Sequence, residues 1–586
     1  MQAFQQSKFQ QNALRAPIPS LYGQDTYHAT KQLTLIAGIR WSPEYMPVDV
    51  KNRGTVFNYA AFLAGQVSSI YPNAPAGTFF YGDPHVPRAF TQNSPWQFSP
   101  NIGVAYDLTG TGTTVIRAGA ELIYDEVNFF TGQRTQQNPP FATAISQTQT
   151  STSGPISFSS PWSAGSITTN PFPQPIVPTP ATAQFFPQSQ YIVLPTQFHP
   201  SYTTQWTASI QHQFSHGYQL QIDYIGNKTT HAPYGTPLSP AVFVPGVWGG
   251  GGTGCAGVVL TGPAGKPAGA AGTPCSTVAN ESQRFSLTMA NPAQGNQYLG
   301  GGAGSVVIND EATANYNGMI LTLQHRLSSS FSLLSNYTWS KCLNIADPQG
   351  DLASTLLQNP NNPAADYGPC GSDYRHVANI VVVAQSRFGL PRVASMLING
   401  WEIGPLAHIT SGAPFTVTSG VDNSYTDIGN DRPNRIPGVP VYLHIANRSA
   451  TGSANRAYLN PAAFAQVTAG CPTGVAPSPA PTPLNCPGYG TYGNIGRDSF
   501  RGLPIYQFDA QISRIFPIYK ELHMTLRLEG FNVLNHPDFN LPTSGTTGTI
   551  GGQTGSAAVL SSSTFGQISA TANSARVFQG SVKLNF

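Results

Sequence analysis

Residues 202–214 read YTTQWTASIQHQF, and apolar and polar side chains alternate along almost the whole segment. Trp206, Ala208 and Ile210 fall on one face, and Thr, Gln and Ser side chains fall on the other. Successive side chains of a β-strand point to opposite sides of the sheet, so a two-residue period predicts a strand. The segment is therefore expected to form a strand with one apolar and one polar face.

The same alternation recurs along the chain in segments of about ten residues, the length that a tilted strand needs to cross a bilayer. Two of the segments, 374–388 and 400–411, alternate poorly, and Pro405 weakens the second. The thirteen predicted strands cover residues 21–28, 32–41, 96–108, 113–124, 202–214, 218–226, 317–327, 331–341, 374–388, 400–411, 505–516, 520–531 and 576–586.

The connections between these strands alternate between short and long. The short ones are residues 29–31, 109–112, 215–217, 328–330, 389–399 and 517–519. The long ones are residues 42–95, 125–201, 227–316, 342–373, 412–504 and 532–575. Outer-membrane barrels show this asymmetry, with short periplasmic turns and long extracellular loops. The pattern predicts an all-β fold: an antiparallel transmembrane β-barrel located in the outer membrane of a Gram-negative bacterium, in contact with its lipid.

The composition favours the same class. Charged residues make up 9% of the 586 residues, against about a quarter in an average soluble domain. Disorder is disfavoured because aromatic residues reach 11%. The net charge is +3 without a basic run, so nucleic acid is not expected as a partner. No apolar stretch approaches the roughly 18 residues of a membrane-spanning helix.

The orientation follows from the final strand. If it ends in the periplasm, all six long connections lie outside the cell. Three polar residues on apolar faces, His212, His325 and Arg514, then fall near periplasmic strand ends. Contact with lipid headgroups and ordinary strand-end polarity explain them equally well. Residues 1–20 are expected to be a lead-in to a barrel at 21–586, and the missing signal-peptide core suggests a truncated start.

Six cysteines fall into three pairs, each within one predicted extracellular loop or at its mouth. Disulfides would fasten loops that are expected to have little core of their own, in an oxidising compartment. A metal site would require closer spacing and neighbouring histidines. The expected pairs are Cys255 with Cys275, Cys342 with Cys370, and Cys471 with Cys486.

Several motifs resemble the Oar-like branch of the TonB-dependent outer-membrane receptors. The resemblance covers essentially the whole chain, in order, with motifs that are loose individually and specific together. They are Leu21–Tyr27, Leu33–Arg40, Asn336–Lys341, Asp373–His376, Gly400-Trp401, Ser411–Phe415, Asp431–Asn434, Asn460–Phe464, Leu528–His536, Phe565-Gly566 and the terminal Phe586.

This resemblance implies a barrel of about 22 strands that carries an N-terminal sandwich domain and a plug. This chain would supply about 13 of those strands, without sandwich, plug or TonB-contacting segment. It also implies coupling to the TonB complex through the missing region. The aromatic residue Phe586 resembles the signal that the barrel-assembly machinery reads.

No catalytic constellation stands out, so neither an enzyme nor a bound cofactor is predicted. The charges on the polar faces have mixed sign, as in a water-filled lumen. One loop cluster, Asp422, Asp427 and Asp431, has oxygen ligands that suit calcium, but such runs are also plain turn formers. The glycine runs 249–252 and 300–302 follow no βα unit and indicate flexible loop.

The favoured function is uptake of a bulky nutrient of unknown identity across the outer membrane. The alternative is a surface-exposed structural or adhesive barrel that transports nothing. A passive porin is disfavoured by the size of the loops and by a lumen without a single charge sign. A secreted β-rich enzyme is the least favoured class.

Overall fold

A computed structural model gives the fold. It describes residues 3–7, 13–89, 91–126, 129–142, 144–148, 156–162, 170–172, 175, 177–246, 255, 274–302, 304–325, 330–347, 357–443, 456–468, 489–542, 549–550, 553–554 and 557–586.

The fold is built on one antiparallel sheet in which thirteen strands follow each other in chain order. Within the described residues, the first and the last strand each have a neighbour on one side only, so the sheet is open. The strands are β1 Leu21–His28, β2 Leu33–Trp41, β3 Phe98–Asp107, β4 Thr114–Tyr124, β5 Tyr202–Gln213, β6 Tyr218–Pro237, β7 Val306–His325, β8 Phe331–Asn344, β9 His376–Gln385, β10 Trp401–Thr410, β11 Ile505–Tyr519, β12 Leu522–Phe531 and β13 Val577–Asn585.

The register joins the apolar positions of neighbouring strands into continuous rows. Ala208 of β5 lies opposite Ala118 on one side and Tyr224 on the other. Many of these side chains are exposed, and Ile102 retains 65% of its accessible surface. An exposed apolar face of this extent requires a nonaqueous surrounding. The two-residue pattern therefore predicted both the strands and the face that each residue occupies.

All thirteen predicted strands are present, which confirms the fold class. The largest departure concerns β6 and β7, which are 20 residues long and occupy both ends of the segment predicted as the loop 227–316. That boundary was wrong for a physical reason. Above the membrane both faces of the hairpin contact protein or water, so the apolar–polar contrast that marks a strand is lost.

The long connections fold into an extracellular assembly with hydrophobic cores of its own, so the expectation of loops with little core was wrong. One cluster contains Phe415, Phe464 and Phe565, and another contains Phe62 and Tyr298. The α-helices of the described residues are Tyr59–Leu63, Phe129–Gln136, Ser286–Ala290, Pro292–Gly295 and Arg392–Ile398, and the 3-10 helices are Ser215–Gly217, Val278–Gln283, Pro363–Asp366 and Pro461–Ala463. None of them is both long and apolar enough to span a bilayer.

Short strands outside the main meander complete the described elements. They are Ala3–Ser7, Leu14–Arg15, Val48–Asp49, Thr55–Phe57, Thr78–Phe80, Ala144–Thr148, Ile192–Val193, Gly368–Pro369, Pro414–Thr418, Asn434–Arg435, Arg456–Ala457, Phe464–Ala465, Phe500–Arg501, Thr549–Ile550, Gln553–Thr554, Ala557–Val559 and Gln567–Ile568. Several of them pair connections that are far apart in sequence: 192–193 joins β7, and 416–418 joins 557–559.

The polar residues at the periplasmic strand ends have specific partners. His212 Nδ1 lies 2.7 Å from Thr114 Oγ1, and the two ring nitrogens of His325 contact backbone carbonyls of the neighbouring turns. Arg514 donates to the carbonyl of Leu397 at 2.9 Å, at the end of helix 392–398. Each of the three polar side chains therefore has a hydrogen-bond partner within the protein at the end of its strand.

Candidate functional site

The polar face of the sheet carries several groups of hydrogen-bonded amide and charged side chains. Arg117 donates to Gln211 Oε1 at 3.1 Å, and Gln221 Nε2 donates to Asp223 at 2.8 Å. Register alone places Arg117 and Asp223 on either side of Ser209. Such a surface binds water and polar solutes, and its mixed charges give no single-sign filter.

Further groups of this kind lie on the later strands. Asn379 Nδ2 donates to Asn336 Oδ1 at 2.8 Å, and His408 Nδ1 lies 2.6 Å from Asn379 Oδ1. Gln385 Nε2 donates to Glu402 Oε2 at 3.0 Å. The residues come from β8, β9 and β10, so the polar face is continuous across three strands.

A cavity of about 610 Å³ lies where the polar face of β2 to β4 meets the extracellular assembly. Arg40 and Glu121 come from the strands, whereas Glu44, Asp125 and Glu126 come from the connections. Gln97 Nε2 donates to Glu44 Oε2 at 2.8 Å. Burial raises the pKa of Glu44, and the nearby Asp125 raises it further. The carboxyl groups outnumber the one guanidinium, so the cavity favours ligands with positive charge or many hydrogen-bond donors.

The three aspartates proposed for calcium lie in one tight loop, and their described contacts are made mainly within it. Asp422 accepts hydrogen bonds from the backbone N–H groups of Thr426 at 3.2 Å and Asp427 at 2.7 Å. Asp431 accepts from the N–H of Ser424 at 2.6 Å. These contacts are those of a turn-forming cluster, and calcium binding stays a prediction.

Sequence reasoning missed a fourth acidic residue of this cluster. Glu281 is 8% exposed and its carboxyl group is close enough to Asp422 for the two charges to interact, although 141 positions separate the two in sequence. Burial, followed by the charge of Asp422, raises the pKa of Glu281 to about 8. Burial also raises the pKa of Asp431 to about 6. A proton on Glu281 therefore relieves the repulsion between the two carboxyl groups at neutral pH.

Two of the three expected disulfides are present. Cys255 is bonded to Cys275, and Cys342 is bonded to Cys370. The predicted pair of Cys471 and Cys486 lies outside the described residues. Cys342 is near the extracellular end of β8, where the bond fixes the segment that returns toward β9.

The chain belongs to the family of outer membrane beta barrel domains, whose model matches residues 1–579. Membership places the protein in the Gram-negative outer membrane. The apolar face described above is therefore the lipid-facing surface, and the polar face lines the lumen. No curated protein matches the chain in sequence.

Solved structures that resemble the chain include the outer membrane transporter YddB from Escherichia coli, at 9% identity, with a TM-score of 0.40 and coverage of 96% of this chain and 44% of that one. The ferripyoverdine receptor of Pseudomonas aeruginosa is 8% identical, with a TM-score of 0.35 and coverage of 88% and 34%. The siderophore receptor PiuA from Acinetobacter baumannii is 8% identical, with a TM-score of 0.37 and coverage of 97% and 43%. The chain thus spans less than half the length of each.

Proposed function

We propose that this barrel takes part in the uptake of a bulky nutrient across the outer membrane, with energy supplied through the TonB complex as the Oar-like resemblance implies. The observation that carries the proposal is the cavity between the extracellular assembly and the polar face. A solute bound there is already at the entrance of the lumen. A purely adhesive surface protein has no need for a polar cavity that opens on this side.

The charges of the cavity indicate the chemistry of the solute. Glu121 on β4 faces Asn101 on β3 and Gln205 on β5, so one carboxylate stands between two amides. These groups offer several acceptors at fixed spacing on a rigid sheet. A solute with amine, guanidinium or multiple hydroxyl groups satisfies them, whereas a polyanion is repelled.

Uptake by cells tests the proposal. A strain without the chromosomal gene is complemented with wild-type protein, with Glu121→Gln or with the control Glu529→Gln, which changes a polar-face carboxylate outside the cavity lining. Radiolabelled cobalamin, a cationic ferric siderophore and a neutral oligosaccharide serve as probes. We expect gene-dependent, protonophore-sensitive uptake of at least one probe, reduced about tenfold by Glu121→Gln, because hydrogen bonds to charged groups contribute about 1.5 kcal/mol or more.

The opposite outcome is equally clear. Unchanged uptake of all probes in the deletion strain, together with loss of cell–cell or surface attachment, would favour the structural or adhesive alternative. The large, cored extracellular assembly is the feature that keeps this alternative in consideration. Uptake that persists with a protonophore would instead exclude coupling to the TonB complex.

A further inference from the structure

Two histidines and one aspartate from three distant parts of the sequence meet at the extracellular end of the wall, which is the sheet of strands β1 to β13. His199 lies three residues before β5, His231 lies in the upper part of β6, and Asp310 lies in the upper part of β7. Each offers one ligand atom within 4.8 Å of those of the other two. The two imidazole rings are stacked, with centroids 4.9 Å apart and an interplanar angle of 27°.

Asp310 orients both rings in the same way. Its carboxylate oxygen Oδ2 lies 2.8 Å from His199 Nδ1, and its backbone carbonyl oxygen lies 3.1 Å from His231 Nδ1. Both acceptors require the proton of each neutral imidazole to sit on Nδ1, which leaves the lone pair on Nε2. Histidines that bind metals characteristically donate their second ring nitrogen to a carboxylate or a backbone carbonyl.

The backbone holds this arrangement at some cost. His231 has a φ of 60°, a left-handed conformation that non-glycine residues rarely adopt. It sits where the pairing between β6 and β7 shifts register, between Thr229 and Ala232. Bulges of this kind redirect a side chain out of the regular alternation. The bulge directs the His231 ring toward His199 and places its Nδ1 against the Asp310 carbonyl.

The aspartate of the cluster is buried and one histidine is exposed, which permits an ion to enter from solvent. Asp310 is buried at 8%, whereas the side chain of His199 is 58% exposed. The buried aspartate fixes the geometry, and the exposed histidine leaves one side open to solvent. Imidazole nitrogens are poor ligands for calcium or magnesium and good ligands for zinc, copper and nickel.

We propose that His199 and His231 bind a divalent transition-metal ion, with Zn²⁺ as the representative case, and that Asp310 positions both rings. Zn–N bonds are about 2.0–2.1 Å long, so both Nε2 atoms have to converge on the ion when it binds. The remaining coordination positions are left to water or to a donor atom of an incoming solute. This site is independent of the uptake proposed above, and neither depends on the other.

Zinc binding by the full-length chain tests the proposal. The protein is purified in detergent without a polyhistidine tag, treated with EDTA and titrated with Zn²⁺ by calorimetry and by competition with a chromophoric chelator. His199→Ala, His231→Ala and Asp310→Asn are compared with His216→Ala. His216 is a matched control because it also has a left-handed backbone, with a φ of 65°, but lies in the turn between β5 and β6.

We expect one Zn²⁺ per chain for the wild type and for His216→Ala. Loss of an outer-shell partner of a metal ligand costs about 10–100-fold in affinity, so Asp310→Asn is expected within that range and each histidine variant at its upper end or beyond. X-ray absorption of the zinc complex should show imidazole scattering that disappears in the double histidine variant. Heat-modifiable gel mobility confirms that each variant is folded. Equal affinity in wild type and double variant, or no binding by the folded wild type, would overturn the proposal.

Discussion

The membrane-spanning wall and the extracellular assembly use the same apolar residue types in opposite ways. In the wall Ile102 retains 65% of its accessible surface, whereas Phe415 in the assembly has none. Among the described residues, every buried apolar side chain lies in the long connections or at the extracellular ends of β6, β7 and β11. The wall has its backbone satisfied by its own hydrogen-bond ladder and its apolar face by lipid, and the assembly is stabilised by its own core.

One chain therefore contains two regions that are stabilised by different interactions. The wall depends on which side of each strand faces lipid, and it tolerates changes of size. The assembly depends on close packing and tolerates little loss of volume. Substitutions that are matched in chemistry but placed in different regions should therefore have very different effects.

The largest effect is expected in the assembly core. Phe415→Ala removes a ring that packs against Phe500 with centroids 6.1 Å apart, and large-to-small changes of this kind cost about 3–5 kcal/mol. Limited proteolysis should cleave the extracellular segments much faster while the wall keeps its heat-modifiable mobility. The control Ile102→Ala, on the lipid face, is expected to cost less than about 1 kcal/mol. Equal sensitivity of the two variants would break the comparison.

The next effect tests the two sides of a single strand. Ala208 and Thr207 are adjacent and both exposed, but Ala208 belongs to the apolar row and Thr207 to the polar one. Ala208→Arg should destabilise the barrel by about 2–4 kcal/mol, because an arginine near the middle of the bilayer is costly. Thr207→Arg should have little effect. Urea unfolding in lipid vesicles measures both, and a larger loss for Thr207→Arg would reverse the assignment of lumen and lipid.

A smaller effect is expected from the disulfide at the end of β8. Replacing Cys342 and Cys370 with serine should cost about 2 kcal/mol, at the low end of the usual range. The reason is that polar contacts also hold this segment: Asp373 accepts from the Cys342 N–H at 2.7 Å, and Arg497 pairs with Asp347 at 2.8 Å. The backbone amides between β8 and β9 should exchange hydrogen faster, and those elsewhere should not change. Exchange that spreads through the wall would show that the two regions are not independent.

The smallest effect concerns the protonated carboxyl group of Glu281, which lies near Asp422. The pKa of Glu281 is raised to about 8 from an ordinary value of 4.5, so the stabilisation is complete below 4.5 and is lost as pH rises through about 8. The assembly should therefore become more protease-sensitive as pH rises from about 5 to about 8, and Glu281→Gln should remove that change. Added Ca²⁺ that protects the wild type at pH 9 would support the calcium prediction, and absence of protection would count against it.

The sequence predicted the wall well because each strand faces lipid on one side and water on the other. Apolar and polar side chains therefore alternate along the strand, as in residues 202–214, and this alternation predicts both the strand and the face that each residue occupies. The disulfides of Cys255 and Cys342 could also be predicted from the sequence, since their partners lie 20 and 28 positions away, within or beside one predicted loop. The predicted boundaries of domains 1–20 and 21–586 stay predictions.

The candidate sites could not be predicted from the sequence because they depend on contacts between remote segments. His199 and Asp310 are 111 positions apart, and Glu281 meets Asp422 only after two different connections have folded together. No local spacing marks such encounters. The upper part of β6 was not predicted for another reason, because residues 229–237 lack the alternation of apolar and polar side chains. The acidic cavity could not be predicted from the sequence because it depends on the strand register that places Glu121 opposite Asn101.

The length of β6 and β7 has a consequence for what an outside molecule meets first. A strand of 20 residues extends roughly 66 Å at 3.3 Å per residue, and about ten residues suffice to cross the hydrocarbon layer. Roughly half of this hairpin therefore rises beyond the bilayer as a stiff rod. Its outer end is covered by the extracellular assembly, because Tyr234, Val306 and Ile308 are each at most 2% exposed. Antibodies or phage tail fibres approaching the cell would therefore touch the surrounding connections first, and an epitope for counting copies on living bacteria belongs on those connections and not on the hairpin.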